Sequence, residues 1–324
     1  MGTNLDLSAL LANAQTTYES RGAEILTETL PGPWSLYTLK IDVSDSGIWQ
    51  NDFVANIPVM RQWVGARVDK TLRGYTQSLE AVAYEATLPI ARNVLRRDKS
   101  GAVGRAIDAF LRKGAATHDK FASEALDSNS SAGPTGYDAV ALFSTAHPHV
   151  NSGSGHSNLS PGTNLSHANY GAARAVFMTR VDEQGEPMGP FRVTHMRIHP
   201  TLLQRAKEIL DTDRIIKYTD ISANEATSGV QNATAVDNVF KGDAMIIEDH
   251  RIATADQYEW TLFDLSRPER PMVLIEERAP EQISQLDMED PRRFTNDEFV
   301  FGLEADFKVG AGFWPLAYRA TGTA

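Results

Sequence analysis

The sequence predicts an α+β protein whose strands are mainly antiparallel. Three observations lead to this class. Apolar residues recur at helical spacing over residues 102–126, apolar and polar residues alternate over 84–90, and short β-prone segments separated by turn signals fill the last third of the chain. No internal repeat is visible.

Four segments have the apolar spacing of helices, and the longest is the clearest. It begins after a possible N-cap at Ser100 and Gly101 and ends in the polar run 127–131. At 1.5 Å per residue it would be roughly 37 Å long, enough for a structural spine. The four predicted helices are 5–18, 102–126, 168–180 and 201–210, the last opened by Pro200.

The strand predictions are shorter and more numerous. Pro89 interrupts the alternating segment 84–90, and because proline cannot donate to a β-ladder, we expect an edge strand or an exposed ribbon there. Residues 34–60 are expected to be partly extended, and 219–238 to be a loop. The remaining strand candidates are 139–143, 244–248, 257–264, 272–276, 299–305 and a terminal pair within 307–319.

The first 97 residues do not have the pattern of a compact domain. A breaker at 31–33 follows the first predicted helix, and a charged, extended stretch at 67–75 precedes the alternating segment. An isolated extended excursion is marginal in water. We therefore predict an arm and a ribbon that lie across a neighbouring molecule.

Composition excludes several classes of function. The 324 residues suit one large or two medium domains, and the absence of cysteine excludes disulfides, thiolate zinc sites and cysteine nucleophiles. A net charge of -11 argues against DNA as the primary ligand, because phosphate binding depends on a basic face. There is no apolar run that could span a membrane and no secretory signal, so we expect a cytoplasmic origin.

Catalytic motifs are missing from the sequence. It contains neither G-x-S-x-G nor a phosphate-binding P-loop. After Gly310-Ala311-Gly312, Pro315 stands where a dinucleotide fingerprint needs its third glycine, and no helix can follow. We predict that the protein is not an enzyme and has no catalytic, cofactor-binding or metal-binding residues and no cofactor.

The alternative prediction is a metal-dependent or serine hydrolase built on the region from His147 to His167. Three or four histidines can bind zinc, and a serine near a histidine can form a nucleophile pair. The favoured interpretation is that these are loop residues, that His195 and His199 belong to a strand, and that Ser144 bonds locally in a turn. The other histidines of the region are His149 and His156.

Two charge clusters allow two interpretations. Solvated faces are the simpler one, because exposed ion pairs contribute little to stability. The other is that the clusters meet between subunits, where charge complementarity sets register. The basic cluster is Arg92, Arg96, Arg97, Lys99 and Arg105, and the acidic one is Glu276, Glu277, Glu281, Asp287, Glu289 and Asp290.

Several motifs occur in a defined order over about residues 50–320. They are Ile57–Arg67 (IPVMRQWVGAR), Tyr84–Thr87 (YEAT) with Arg92 and Asp98–Gly101 (DKSG), Gly136–Asp138 (GYD) with Leu142–Pro148 (LFSTAHP), and Trp260–Asp264 (WTLFD) with Gly302–Trp314. In this order and spacing they resemble the major head subunit of Mu-like tailed phages. Ala66 and Ala139 depart from the family pattern, and the first 45 residues and 219–238 do not align with it.

The resemblance implies the capsid fold common to tailed phages. Such a subunit has an N-terminal arm, an extended β-hairpin loop, a peripheral domain with a long spine helix, and an axial domain. The corresponding segments here would be 1–50 for the arm, 51–97 for the loop, 98–150 for the peripheral domain, 151–270 for the axial domain, and 271–324 for strands returning to the peripheral domain.

The resemblance also implies a function, namely self-assembly into pentamers and hexamers that form the icosahedral head around phage DNA. The implied partners are further copies of the chain, a scaffold, a portal and decoration proteins. Sequence-specific DNA binding and membrane association are not implied, and the expected location is the virion. A decoration or tail protein is a third possibility, although neither would need a spine helix followed by a mixed α+β domain.

Overall fold

A computed structural model describes residues 7–28, 32–55, 73–98, 100–127, 133–148, 155–181, 187–220, 231–285 and 297–323, together with Met60, Gln62 and Val64, and leaves Lys99 out. The described residues belong to two compact units. The first lies within Met1–Phe53, Gly74–Leu126 and Met272–Gly312, and the second within Val54–Arg73, Asp127–Pro271 and Phe313–Ala324.

The described chain contains seven α-helices and thirteen strands. The helices are α1 (Leu7–Glu28), α2 (Trp34–Tyr37), α3 (Arg92–Arg97), α4 (Ala102–Ala115), α5 (Thr117–Asp127), α6 (His167–Met178) and α7 (Leu203–Leu210). The strands are β1 (Thr38–Asp42), β2 (Ile48–Ala55), β3 (Arg73–Glu80), β4 (Val82–Ala91), β5 (Leu159–Pro161), β6 (His195–Ile198), β7 (Arg214–Asp220), β8 (Gln231–Asp237), β9 (Met245–Glu248), β10 (Trp260–Phe263), β11 (Met272–Gln285), β12 (Glu298–Ala311) and β13 (Ala317–Thr321).

The first unit is built on a four-stranded sheet in the order β1-β11-β12-β4. Strand β1 runs parallel to β11, and the other two pairings are antiparallel. Side chains alternate between the faces of a strand, so one face of β12 presents a row of buried apolar residues to the helices. Phe299, Phe301 and Leu303 from this row pack with Ile107 and Leu111 of α4.

The predicted spine helix is interrupted near its middle. Helix α4 ends at Ala115, and α5 begins at Thr117 after Ala116 adopts φ -87° and ψ 9°. Two local features explain the break. The Thr117 hydroxyl donates to the Lys113 carbonyl at 3.3 Å, a contact that bends helices, and Gly114 in the last turn of α4 lowers helical propensity.

Strand β4 lies at the edge of the sheet, as Pro89 predicts. It pairs with β12 from Val82 to Ala91 and has no second neighbour among the described strands. The strand therefore forms part of the sheet, although the resemblance implies a loop over the segment 51–97. Strand β1 likewise joins the sheet from within the predicted arm.

The second unit is built on a five-stranded sheet in the order β5-β13-β10-β6-β9. Helices α6 and α7 cover one face, where Trp260, Leu262 and Met196 are fully or almost fully buried. Helix α6 begins at an N-cap, the Ser166 side chain, which accepts a hydrogen bond from the Asn169 backbone N–H at 3.2 Å.

Several expectations for secondary structure need correction. The segment 139–143 forms turns and an isolated bridge between Thr135 and Ala141, because Ala139 adopts a positive φ that ends any strand. The segment 219–238 is not all loop, since β8 occupies 231–237 and pairs with β7. The segment is rich in small and polar residues, so it lacks the alternation of apolar and polar residues that predicts a strand. Within it, 221–230 lie outside the described residues.

The end of the chain divides between the two units. Strand β12 ends the first unit's sheet, whereas β13 pairs with β10 and β5 in the second unit. The resemblance, by contrast, implies that all of 271–324 returns to the peripheral domain. A short turn at Trp314–Leu316 separates the two strands, so they do not form the expected terminal pair. No helix in the described part of the chain is long and apolar enough to cross a membrane.

Candidate assembly surfaces and the histidine-rich segment

Strands β2 and β3 form a ribbon that is separate from both larger sheets. Its base is anchored in the first unit, where Trp49 and Leu79 pack against Val273 and Ile275. The Gln77 side-chain amide also donates to the Ala311 carbonyl at 2.8 Å. The base is therefore held by both apolar packing and a buried hydrogen bond.

Ile48, which begins β2 at the base beside Trp49, is 50% exposed although it is aliphatic. Away from its base, the ribbon is open to solvent, where Asp52, Gly74 and Thr76 are exposed. The cross-strand contact described there is polar, with the Thr76 hydroxyl donating to the Asp52 carboxylate at 2.6 Å. A two-stranded ribbon is marginally stable by itself, so this ribbon would gain stability by lying on another surface.

A second ribbon projects from the other unit. Strands β7 and β8 are joined by seven residue pairs, from Arg214–Asp237 to Asp220–Gln231. They form a two-stranded sheet of their own, and Ile216 on β7 is 61% exposed. The sequence did not reveal this surface, because 219–238 lacks an apolar alternation.

His147 lies at the centre of a buried hydrogen-bond network in the second unit. Its Nδ1 is 2.6 Å from the Asp138 carboxylate, and its Nε2 is 3.0 Å from the side-chain oxygen of Asn158. The ring stacks on Trp314 with 3.9 Å between centroids. Asp138 belongs to the motif GYD and His147 to the motif LFSTAHP, so this hydrogen bond joins the two motifs.

The orientation of the Asn158 amide is set by its backbone partners. Its Nδ2 donates to the Leu142 carbonyl at 2.7 Å, and its Oδ1 accepts from the Ser144 backbone N–H at 2.8 Å. Both ring nitrogens of His147 therefore face side-chain oxygens, Nδ1 that of Asp138 and Nε2 that of Asn158. Neither nitrogen faces an open position where a metal could bind.

The described histidines of the hydrolase alternative are not assembled into a site. His167 contacts Asn238 at 3.3 Å and Phe240, while His156 forms a backbone bridge to His147. His149 lies outside the described residues. The Ser144 hydroxyl accepts from the Ala146 backbone N–H at 3.1 Å, which confirms a local turn contact. No group of acidic and histidine ligands in the described ranges is arranged to hold a metal.

The other histidine pair also has structural roles. His195 is the first residue of β6, and its Nδ1 lies 3.0 Å from the Thr194 hydroxyl. His199 follows the strand and accepts from the Thr201 backbone N–H at 3.2 Å, capping the short turn at Pro200–Leu202. Only His195 of this pair therefore lies in a strand.

Buried ion pairs stabilise the second unit and were not evident from the sequence. The Arg197 guanidinium bridges Asp127 at 2.5 Å and Asp249 at 2.7 Å. The Arg319 guanidinium pairs with Glu259 and also donates to the Asp127 carbonyl at 3.1 Å. Alternation places Arg197 and Arg319 on the sheet face opposite the apolar core, so this face is polar yet buried.

A smaller charged cluster lies within the first unit. His118 Nε2 is 3.2 Å from Glu276, whose other oxygen pairs with Lys40 at 2.5 Å. Asp119 and Trp34 also line this cavity of about 310 Å³. Burial lowers the pKa of His118, an effect that the Glu276 charge opposes and the Lys40 charge reinforces.

His118 is expected to make the first unit less stable in acid. Its pKa is lower in the folded than in the unfolded chain, so the unfolded chain binds the proton more readily. Its contribution to stability is therefore present above about pH 6.5 and is lost as pH falls below it. The H118F variant keeps the ring contacts to Trp34 and Phe307.

The measurement is urea unfolding of the parent and H118F proteins at neutral and mildly acidic pH. We expect the free energy of unfolding to fall less steeply with acidification in H118F than in the parent. Equal pH slopes in the two proteins would contradict the assignment of acid sensitivity to His118.

Some members of the acidic and basic clusters form ion pairs within the chain. Glu276 pairs with Lys40, Glu281 pairs with Arg278 at 2.9 Å, and Arg92 lies 3.6 Å from Asp297. Arg96, Arg97 and Glu277 are exposed and form no ion pair with the described residues. The cluster members Lys99, Asp287, Glu289 and Asp290 lie outside the described residues.

Comparison with solved structures defines the class of fold. A chain of the bacteriophage JBD30 procapsid aligns over 98% of this chain and 76% of its own length, with TM-score 0.51 and 19% identity. A chain of the mature capsid of bacteriophage PhiM1 covers 91% of this chain and 88% of itself, with TM-score 0.52 and 12% identity. A chain from Mycobacterium phage Patience covers 100% and 90%, with TM-score 0.55 and 11% identity. The fold is that of phage capsid proteins.

Sequence comparison narrows this class to one family. The model of the Mu-like prophage major head subunit gpT matches residues 27–164 and 235–323, more than half of the chain. The chain therefore belongs to the family of Mu-like prophage major head subunits. Its place is the phage head, where it is a structural subunit and not an enzyme.

Two curated relatives agree with this assignment over shorter stretches. The Mu-like prophage FluMu major head subunit of Haemophilus influenzae is 30% identical over 87 residues, which is 27% of this chain and 28% of the relative. The major capsid protein of Escherichia phage Mu is 34% identical over 61 residues, which is 19% of this chain and 20% of that protein. The chain thus aligns with less than a third of either relative.

Proposed function

We propose that copies of this chain self-assemble into pentamers and hexamers, which join to form an icosahedral head enclosing phage DNA. The feature that best supports assembly is the β2–β3 ribbon. Its base is packed into the first unit but leaves the aliphatic Ile48 half exposed, while its outer part is open to solvent and pairs with no further described strand. Contact with a neighbouring copy would bury this surface.

Ring formation follows from the kind of contact proposed. A ribbon that covers a different surface on the next subunit makes a heterologous contact, and such contacts close into rings when the rotation brings the last subunit back to the first. In this arrangement the β2–β3 ribbon, which belongs to the proposed loop segment 51–97, reaches a neighbour. Helices α4 and α5 brace the subunit that reaches, and the second unit, as the axial domain, lies towards the ring centre. The 1–50 arm would add further contact area.

The proposed relation to DNA is enclosure without tight binding. The net charge of -11 limits adhesion, because counterion release from phosphates requires clustered lysine and arginine. The proposed partners of the shell are a scaffold during assembly, a portal at one vertex and decoration proteins on the outside. They are proposed by analogy with the family.

Negative-stain microscopy of the purified protein tests the proposal. We expect rings of five or six subunits, tubes or closed particles, with a concentration threshold for their appearance. A strictly monomeric, compact species at high protein concentration, with or without a co-expressed scaffold, would contradict self-assembly.

A further inference from the structure

Two oppositely charged surfaces lie on opposite edges of the first unit's sheet. We define the acidic corner as Asp42, Asp45 and Glu277, and the basic corner as Arg96 and Arg97. All five side chains are exposed, and none forms an ion pair within the described part of the chain. Neither corner alone indicates a partner, and the inference depends on the two together.

The acidic corner is formed where β1 ends. Asp42 is the last residue of the edge strand β1, and Asp45 lies in the turn that follows. Glu277 reaches this turn from β11, since a Cβ added at Gly47 would lie 2.7 Å from its carboxylate. The cation of the same strand, Lys40, is already paired with Glu276, so the corner keeps its negative charge.

The basic corner is formed where β4 ends on the opposite edge. Helix α3 follows β4 directly and is anchored by the buried Leu95. Its last turn carries Arg96 and Arg97. The next anion, Asp98, caps α4 by accepting from the backbone N–H groups of Ala102 at 3.0 Å and Val103 at 2.8 Å, so the arginines keep their positive charge.

The sheet register keeps the two corners apart within one chain. Strands β1 and β4 are separated by three strand spacings, or about 14 Å. Asp42 is level with Glu276 and hence with Phe307, whereas β4 ends level with Glu298. The offset along the strands is roughly 30 Å. Contact between the corners therefore requires a second copy.

We propose that the basic corner of one subunit docks on the acidic corner of the next subunit in the ring. The contact joins two different surfaces, so it is heterologous and can be repeated around a closed ring. Exposed aliphatic side chains adjoin both corners, Val94 (55% exposed) beside the arginines and Ile48 (50% exposed) next to Gly47, against which Glu277 lies. Charge complementarity of this kind sets orientation and register. The inference rests on the proposed self-assembly.

Charge reversal with compensation tests the contact. We expect R96E/R97E to raise the protein concentration needed for particle formation by at least about tenfold, which corresponds to about 1.4 kcal/mol. D45K/E277K is expected to have the same effect from the other side. The fourfold variant R96E/R97E/D45K/E277K carries a reversed but complementary pair and is expected to assemble at close to the parent's threshold.

The matched control is R112E/K113E, which makes the same change in charge. Arg112 and Lys113 are also exposed, consecutive and in the last turn of a helix, α4. We expect this control to assemble at the parent's threshold, and thermal unfolding verifies that every variant is folded.

The outcomes separate this inference from the proposed function. Parent protein that forms no particles contradicts self-assembly itself. If the parent assembles, the docking contact is overturned by normal assembly of R96E/R97E, by equal loss in R112E/K113E, or by failure of the fourfold variant to recover. If R96E/R97E does not fold, D45K/E277K decides, and its normal assembly overturns the contact.

Discussion

Replacing Arg197 by methionine is expected to lower the free energy of unfolding of the second unit by about 3–5 kcal/mol. The guanidinium is 2% exposed and bridges Asp249, 1% exposed, and Asp127, 13% exposed. Methionine fills much of the arginine stem's volume, so the loss comes mainly from two carboxylates left in a buried site without their shared cation.

Thermal and urea unfolding measure this effect, and the expected fall in melting temperature is roughly 10 °C. R197K should be intermediate, because an ammonium cannot reproduce the planar fork that contacts both carboxylates. The control is R205M, which removes an exposed i,i+3 pair with Glu208 and is expected to change stability by less than about 1 kcal/mol. Equal stability of R197M and R205M would show that the buried bridge is not needed.

Shortening the β2–β3 ribbon is expected to abolish particle formation while leaving the subunit folded. In the variant, an Asn-Gly turn replaces residues 54–73 and joins Phe53 to Gly74, a connection that two antiparallel strands accept. The side chains of Asp52 and Thr76 are in contact across the ribbon, so its two strands are close enough to be joined. The anchors Trp49 and Leu79 at the base are retained.

Sedimentation and microscopy measure assembly, and circular dichroism with thermal unfolding measures folding. The matched comparison replaces 221–230 with the same turn between Asp220 and Gln231, the paired ends of β7 and β8. If both shortened proteins lose assembly equally, the effect is not specific to the β2–β3 ribbon. Normal particles from the 54–73 replacement would show that this ribbon does not carry the contact.

Local pattern was enough to predict many of the elements. Helices α6 and α7 and strands β9 to β12 occur where the apolar periodicity predicts them. An element that buries one face has apolar residues at the spacing of that face, and this spacing is visible in the sequence. Pro89 predicts the sheet edge through its missing N–H. The order of the short motifs is enough, without knowledge of the fold, to indicate the family.

Other features could not be predicted, because their cause leaves no periodic pattern in the sequence. The break at Ala116 arises from one hydroxyl contact and one glycine, and neither interrupts the apolar spacing of 102–126. Strand β8 lacks apolar alternation because it belongs to an exposed ribbon. The His147 network was considered for chemistry, whereas the neighbouring side chains occupy both of its ring nitrogens.

The sequence by itself determined the α+β class, the family of phage head subunits and the buried faces of those elements that have a clear apolar periodicity. Only the tertiary structure decided which strands pair, because periodicity indicates which face of a strand is buried but not which strand lies beside it. Thr38 thus lies beside Met272, and β13 joins the second unit's sheet although β12 belongs to the first. The same long-range pairing places Arg197 between two aspartates and puts the acidic and basic corners on opposite edges of one sheet.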